Sequence, residues 1–265
     1  MSKVRVERAL RVRAQLWTGL LAVVVAAWGL YTSIHQPIFS PAAYPTARPH
    51  IAGAAISTQS RAVQPPVDCS LQACLALTFD DGPSAATTPQ VLNVLEHHHA
   101  RATFFVIGSH VPGNEAILRR MYRDGHEIGN HSWSHHDFTT LSPEQIQQEI
   151  SQTQAAIAAA GVPVPTLFRP PYGAVNQVMR SRVPLTFAMW NVDPEDWRSK
   201  DPKEIITKVE SRAAPGRVID LHDIHAQTAD GLDQLVGDLQ QHYQLVTFSE
   251  LFNLTSGQPG LFYGR

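Results

Sequence analysis

LTFDDGP, Leu77 to Pro83, closes an apolar run with two adjacent aspartates and a turn. Asp-Gly-Pro is strong turn chemistry in its own right, and that is the plainer reading of the stretch. Yet neighbouring residues of a strand point to opposite faces. The two carboxylates are therefore not one doubled charge on one surface, and what they do depends on what the rest of the chain sets beside them.

Outward from this stretch, short apolar runs alternate with helix-periodic segments. Strands are expected over Leu75–Phe79, Ala102–Ile107, Glu127–Asn130, Thr166–Arg169, Leu185–Val192, Arg217–His222 and Gln244–Phe248. Helices are expected over Pro89–His98, Asn114–Asp124, Pro143–Ala160, Asp201–Ala213 and Gln227–His242. Ser142 before Pro143 and Gln145 has the pattern of an N-cap, and Gly161 that of a helix stop. No internal repeat interrupts the alternation, which predicts an α/β architecture around a parallel sheet, barrel or open. In either form functional groups collect at the C-terminal ends of the strands.

The ends of the chain are composed differently. Lys3, Arg5, Arg8, Arg11 and Arg13 crowd residues 1–13 with Glu7 the sole acid, and residues 14–34 carry no charge. As a helix that run is roughly 30 Å long, the thickness of a bilayer's hydrocarbon core. Trp17, Trp28 and Tyr31 lie near its ends, where interfacial aromatics are favoured. A cleaved signal peptide would have a shorter apolar run, so an uncleaved single-pass membrane anchor is expected, with its basic flank cytoplasmic and the remainder outside. Residues 35–66, with Pro37, Pro41, Pro45, Pro49, Pro65 and Pro66 among Ala, Ser and Thr, read as an extended linker. A domain over 67–265 follows. Beyond Ile34 there are 16 basic and 22 acidic side chains, so nucleic acid is not an expected partner. Cys69 and Cys74, the only cysteines, read as a small disulfide loop in an exported domain.

The expected strand ends share a chemistry. The first stops at Asp80-Asp81; the third runs into HSWSH, with His131 and His135; the fourth ends in RPPYG, 169–173. The fifth leads to DPEDW, 193–197, and the sixth to LHD, 221–223. On a helical turn the i, i+4 spacing would put His131 and His135 on one face. With one carboxylate they form a His₂Asp set suited to zinc and leaving positions open. In a chain with thirteen histidines such spacing also arises without function. His97, His98 and His99 read as a solvated helix end.

The ordered set TFDDG, HSWSH, RPPYG, DPEDW and LHD resembles the five motifs of the polysaccharide deacetylases, the NodB-homology domain of carbohydrate esterase family four. The resemblance covers roughly Val67 to Leu254. It implies a distorted (β/α) barrel, here of about seven strands, that removes acetyl groups from sugars with one divalent metal. It also implies Asp81, His131 and His135 as metal ligands, Asp80 as general base and Arg169 as the residue orienting that base. By the same resemblance Tyr172 supplies a backbone oxyanion donor, His222 is the general acid, and Asp193 is the carboxylate supporting it. Trp197 and Leu221 match apolar walls of the acetyl pocket. Zinc is the ligand-based expectation, and Co²⁺ or Ni²⁺ would also suit the set. The chemistry is coherent, since a metal polarises the acetyl carbonyl and acidifies water while an unligated carboxylate takes the proton.

One position departs from the family pattern: in VIDLHD, Asp220 stands where an aliphatic residue is usual. By strand alternation it shares a face with His222, so it is expected to hydrogen-bond an inward polar group or to be protonated. The substrate implied is an extracytoplasmic N-acetylated glycan, peptidoglycan first, with chitin-type oligosaccharides and acetylated xylan as further candidates. A catalytically silent glycan-binding domain and a hydrolase of non-sugar amides are the competing readings.

Overall fold

The computed structural model describes residues 67–255 and 258–264. The expected anchor over 14–34 and linker over 35–66 lie outside the described residues. Among the described residues no helix is long and apolar enough to cross a membrane.

Among the described residues there are eight strands: β1 Cys74–Asp80, β2 Thr103–Val106, β3 Glu127–Asn130, β4 Leu167–Phe168, β5 Thr186–Ala188, β6 Val218–His222, β7 Gln244–Val246 and β8 Leu261–Phe262. The helices between and after them are α1 Thr88–His97, α2 Glu115–Arg123, α3 Pro143–Ala159, α4 Gln177–Arg182, α5 Pro202–Glu210, α6 Ala226–Gln240 and α7 Phe248–Phe252. Every pairing is parallel, in the order β6-β1-β2-β3-β4-β5-β8, with β7 on the first half of β1. Beyond β5 the chain reaches back to β6 through a bridge between Val192 and Ile219, which curls the sheet towards a barrel.

The two-residue period of the strands sorts their side chains into an outer and an inner layer. On β1, Leu75, Leu77 and Phe79 join the core beneath the helices, as do Phe104 and Val106 on β2 and Ile219 and Leu221 on β6. Helices α1 and α6 return Val91, Leu92, Leu95, Leu232, Leu235 and Leu239 to that core. The alternate residues face inward: Cys74 and Ala76 of β1, Phe105 of β2 and Val218 of β6 fill the lower barrel with Phe248. Above them the inward positions turn polar, with Thr78 and Asp80 on β1 opposite Asp220 and His222 on β6.

The predicted N-cap holds: the Ser142 hydroxyl accepts from Gln145 N–H while the Gln145 side chain accepts from Ser142 N–H. Gly161 follows the helix at φ 82°, a conformation open to glycine at no steric cost. Cys69 and Cys74 form the expected disulfide.

Three expectations need correction. The seventh strand stops at Val246, because Thr247 and Glu250 form a capping box that starts α7 over residues expected to stay extended. The sheet has an eighth strand, β8, paired with β5. The fourth strand holds only Leu167 and Phe168, after which Pro170 and Pro171 remove the backbone donors that would continue it.

Candidate active site

A cavity of about 490 Å³ opens at the C-terminal ends of the strands, lined by Asp80, Asp81, His131, His135, Tyr172, Trp190, Asp193, Trp197, Asp220 and His222. Most of the residues singled out from sequence therefore converge on one place.

Asp80 is the last residue of β1, in register with His222 of β6. Asp81 follows at φ 72°, a left-handed turn that brings its carboxylate round to the side of its neighbour's. Gly82 completes the turn with its Cα against Asp223, where an added Cβ would lie 2.4 Å from both carboxylate oxygens. The turn is thus built at Asp81 and fitted to Gly82.

His131 Nε2 and His135 Nε2 lie 3.4 Å and 3.2 Å from Asp81 Oδ1. The two histidines sit not on a helical turn, as the spacing suggested, but on an irregular loop after β3. Ser132 and His135 there have φ of 69° and 59°. Glu149 of α3 steadies that loop by accepting from the backbone N–H of Trp133 and Ser134 at 2.9 and 2.8 Å. His131 Nδ1 is 2.8 Å from the carbonyl of Arg169. A carbonyl can only accept, so Nδ1 carries a proton and Nε2, which faces the carboxylates, is the nitrogen left to ligate a cation. Asp81 Oδ1 is buried and has no hydrogen-bond partner among the described residues. A buried acceptor oxygen without a hydrogen bond, set against two ring nitrogens, is satisfied by a cation held between them. The donor set therefore fits a divalent metal, with Asp81, His131 and His135 as its holders.

Burial acts to raise the Asp81 carboxyl. The nearness of His131, with the positive charges that it, His135 and His222 carry when protonated, outweighs it and holds the group well below the usual carboxylate range. Burial and the charge of His131 push His135 down, favouring the neutral, ligating form.

Arg169 is fully buried over the Phe105 ring. Its Nη1 donates to Asp80 Oδ1 at 2.8 Å, to Asp220 Oδ1 at 2.6 Å and to Thr78 Oγ1 at 2.8 Å, while its Nε donates to the carbonyl of Ala188 at 2.8 Å. Asp220 thus has the inward hydrogen-bond partner expected for it. Burial and then the charge of Asp80 push its carboxyl well above the usual range, against Arg169.

Two assignments do not survive. The carboxylate on His222 is Asp196, not Asp193. Asp196 is fully buried, its Oδ1 accepts from His222 Nδ1 at 2.8 Å, and its Oδ2 accepts from His222 N–H and the Thr228 hydroxyl at 2.8 and 2.6 Å. Asp193 instead accepts from Glu195 N–H at 2.7 Å in a turn. Leu221 is fully buried in the outer core and lines no part of the cavity; the inward neighbour of His222 is Asp220. Trp197 lines the cavity as expected, and Trp190, which sequence reasoning missed, joins it. Tyr172 reaches the rim at φ 60°, its ring 4.7 Å from that of His135. Burial acts to lower His222, but the hydrogen bond and charge of Asp196 with the charges of Asp220 and Asp80 raise it to about 10. His98 Nε2 lies 2.8 Å from Asp233 on the protein surface, away from the cavity.

Residues 68–185 match the family model described as polysaccharide deacetylase. A peptidoglycan-N-acetylglucosamine deacetylase of Bacillus cereus is 35% identical over 67% of this chain and 87% of its own length. The chain belongs to the polysaccharide deacetylase family. The peptidoglycan-N-acetylmuramic acid deacetylase PdaC of Bacillus subtilis is 46% identical over 68% of this chain but only 39% of its own length, so this deacetylase-family chain spans about two fifths of that relative. The solved peptidoglycan deacetylase PdaC from Bacillus subtilis superposes with a TM-score of 0.68 at 45% identity, covering 71% of this chain and 93% of that one. The curled parallel sheet is thus the fold of the polysaccharide deacetylases.

Proposed function

We propose that the chain is a metal-dependent hydrolase that removes acetyl groups from an extracytoplasmic N-acetylated polysaccharide, peptidoglycan or a chitin-type glycan. One observation carries the reading: a buried aspartate oxygen, unpartnered among the described residues and flanked by two imidazoles, stands beside a carboxylate and an imidazole that are in register on the adjacent strands β1 and β6. The names of the relatives support a glycan amide or ester as the target and differ in the sugar.

A divalent cation held by Asp81, His131 and His135 would supply Lewis-acid polarisation of the acyl carbonyl and acidify an attacking water. Asp80, held by Arg169 through Oδ1, takes the proton from that water. His222 faces it with Nε2 free for the leaving nitrogen, because Asp196 occupies Nδ1 and keeps the ring charged. The Tyr172 N–H at the rim is the backbone donor for the negative oxygen formed when the carbonyl is attacked. Trp190 and Trp197 give the acyl group an apolar side wall. The uncharged run 14–34 behind a basic flank supports a single-pass anchor, and 35–66 a tether that holds the domain off the membrane.

Acetate release from peptidoglycan, chitooligosaccharides and acetylxylan tests the reading. Release from at least one, reduced by two or more orders of magnitude in Asp80→Asn, is expected. Release from none, or release indifferent to Asp80→Asn, would overturn it.

A further inference from the structure

Asp220 lies on β6 two residues before His222, on the same face, in register with Thr78 just as His222 is with Asp80. Two residues of strand are about 7 Å. The base and acid thus form the upper layer of the cavity, and Asp220 lies one layer deeper. It is 4% exposed and lines the cavity. Arg169 occupies Oδ1 at 2.6 Å, and no group among the described residues hydrogen-bonds Oδ2.

Asp220 lies deeper than the base and acid that flank the attacked carbonyl, so the part of an N-acylated sugar that extends to its layer is the end of the acyl group beyond that carbonyl. A methyl group there would leave carboxyl oxygen without a partner in a nearly closed site, which is unfavourable. A hydroxyl on the same carbon would donate to it. Sites that offer a buried polar group to a substrate hydroxyl discriminate strongly against the analogue that lacks it.

Resting on the deacylase reading above, we infer that the acyl pocket is built for a hydroxyacyl group, and that the chain hydrolyses N-glycolyl amino sugars in preference to N-acetyl ones. The step balances as an ordinary hydrolysis. The oxygen of water bonds to the glycolyl carbonyl carbon and Asp80 takes its proton. The carbon–nitrogen bond then breaks, and His222 protonates the nitrogen, giving glycolate and the free amine.

The test compares N-glycolyl and N-acetyl chitooligosaccharides of one length as substrates for the full chain, reading glycolate and acetate, in wild type, Asp220→Leu and Asp220→Asn. A glycolyl-to-acetyl ratio of kcat/KM on the order of tenfold is expected in the wild type, from one hydrogen bond to a carboxyl group. Asp220→Leu should bring it to one or below, and Asp220→Asn, which keeps shape and an acceptor, should fall between. The wild-type ratio decides even where a variant fails to fold. Acetate released with a wild-type ratio of one or less, or a ratio that Asp220→Leu leaves unchanged, overturns this inference alone. Release of neither acid by the wild type overturns the deacylase reading with it.

Discussion

Replacing Asp196 by Asn removes one charge and leaves the shape of the side chain intact, so it isolates what that carboxylate does for His222. In the wild type Asp196 accepts three hydrogen bonds: from His222 Nδ1, from His222 N–H and from the Thr228 hydroxyl. An asparagine has one acceptor oxygen. Two donors converge on Oδ2, so the oxygen settles there and the amide NH₂ is turned towards Nδ1. An NH₂ donates, and it would then face the Nδ1–H of the charged imidazole, which disfavours that form. The loss is a hydrogen bond to a charged group, worth about 1.5–3 kcal/mol. It should lower the pKa of His222 from about 10 by one to two units and reduce kcat by roughly 10- to 150-fold. Steady-state acetate release from pH 5 to 10.5 on Asp196→Asn and Asp193→Asn reads both effects. Asp193→Asn alters a cavity-lining side chain that contacts Glu195 N–H and not His222, so its loss of kcat should be smaller than that of Asp196→Asn. A larger loss in Asp193→Asn than in Asp196→Asn would refute the assignment.

Asp223 gives a stability prediction with a definite sign. Burial raises its carboxyl to about 7, against a hydrogen bond from Thr88, so between about pH 4 and 7 the folded chain keeps a proton that the unfolded chain has lost. Metal-free protein should therefore lose stability as pH rises through that window, by an amount on the order of a few kcal/mol, and urea unfolding at pH 4 and 8 should show a smaller loss in Asp223→Asn. A loss equal in both proteins would contradict it. Cys69→Ser with Cys74→Ser opens a short loop at the start of β1, and should lower stability by about 2 kcal/mol while acetate release at 25 °C persists. Gly82→Ala forces a Cβ to 2.4 Å from the Asp223 carboxylate, so it should depress both Tm and kcat, whereas Gly113→Ala, where a Cβ meets nothing, should spare kcat.

Much of this site is legible in the sequence because parallel strands end on one side of a sheet. Asp80, Asp81, His131, Arg169 and His222 each follow or close an apolar run, and the fold does the rest. What misled was local geometry that spacing does not encode. DPEDW holds two aspartates three apart on a turn where Glu195 has φ 57°, and only the turn decides which carboxylate meets His222. The HSWSH pair meets through positive φ at Ser132 and His135, not through helical spacing. Leu221 illustrates the opposite case. Alternation along VIDLHD already sets residues 220 and 222 on one face and 221 on the other, so strand period gave the right wall and motif matching the wrong one. Trp190 lies just beyond β5, in phase with the inward Ala188 along the expected strand Leu185–Val192, but no motif marks it. The start of α7 was readable in Thr247 and Glu250, but the apolar run from Leu245 to Phe248 imitates a strand.

The central claim is that Asp81, His131 and His135 hold a divalent cation without which Asp80 and His222 have no work to do. Its most direct measurement is acetate release from a chitooligosaccharide or peptidoglycan substrate, first after exhaustive chelation and then during titration with Zn²⁺, Co²⁺ or Ni²⁺. Activity should vanish on chelation and return in proportion to added metal up to one equivalent per chain, and Asp81→Ala should abolish that high-affinity equivalent. Undiminished acetate release from the chelated protein, or full recovery in Asp81→Ala at one equivalent, would contradict the account.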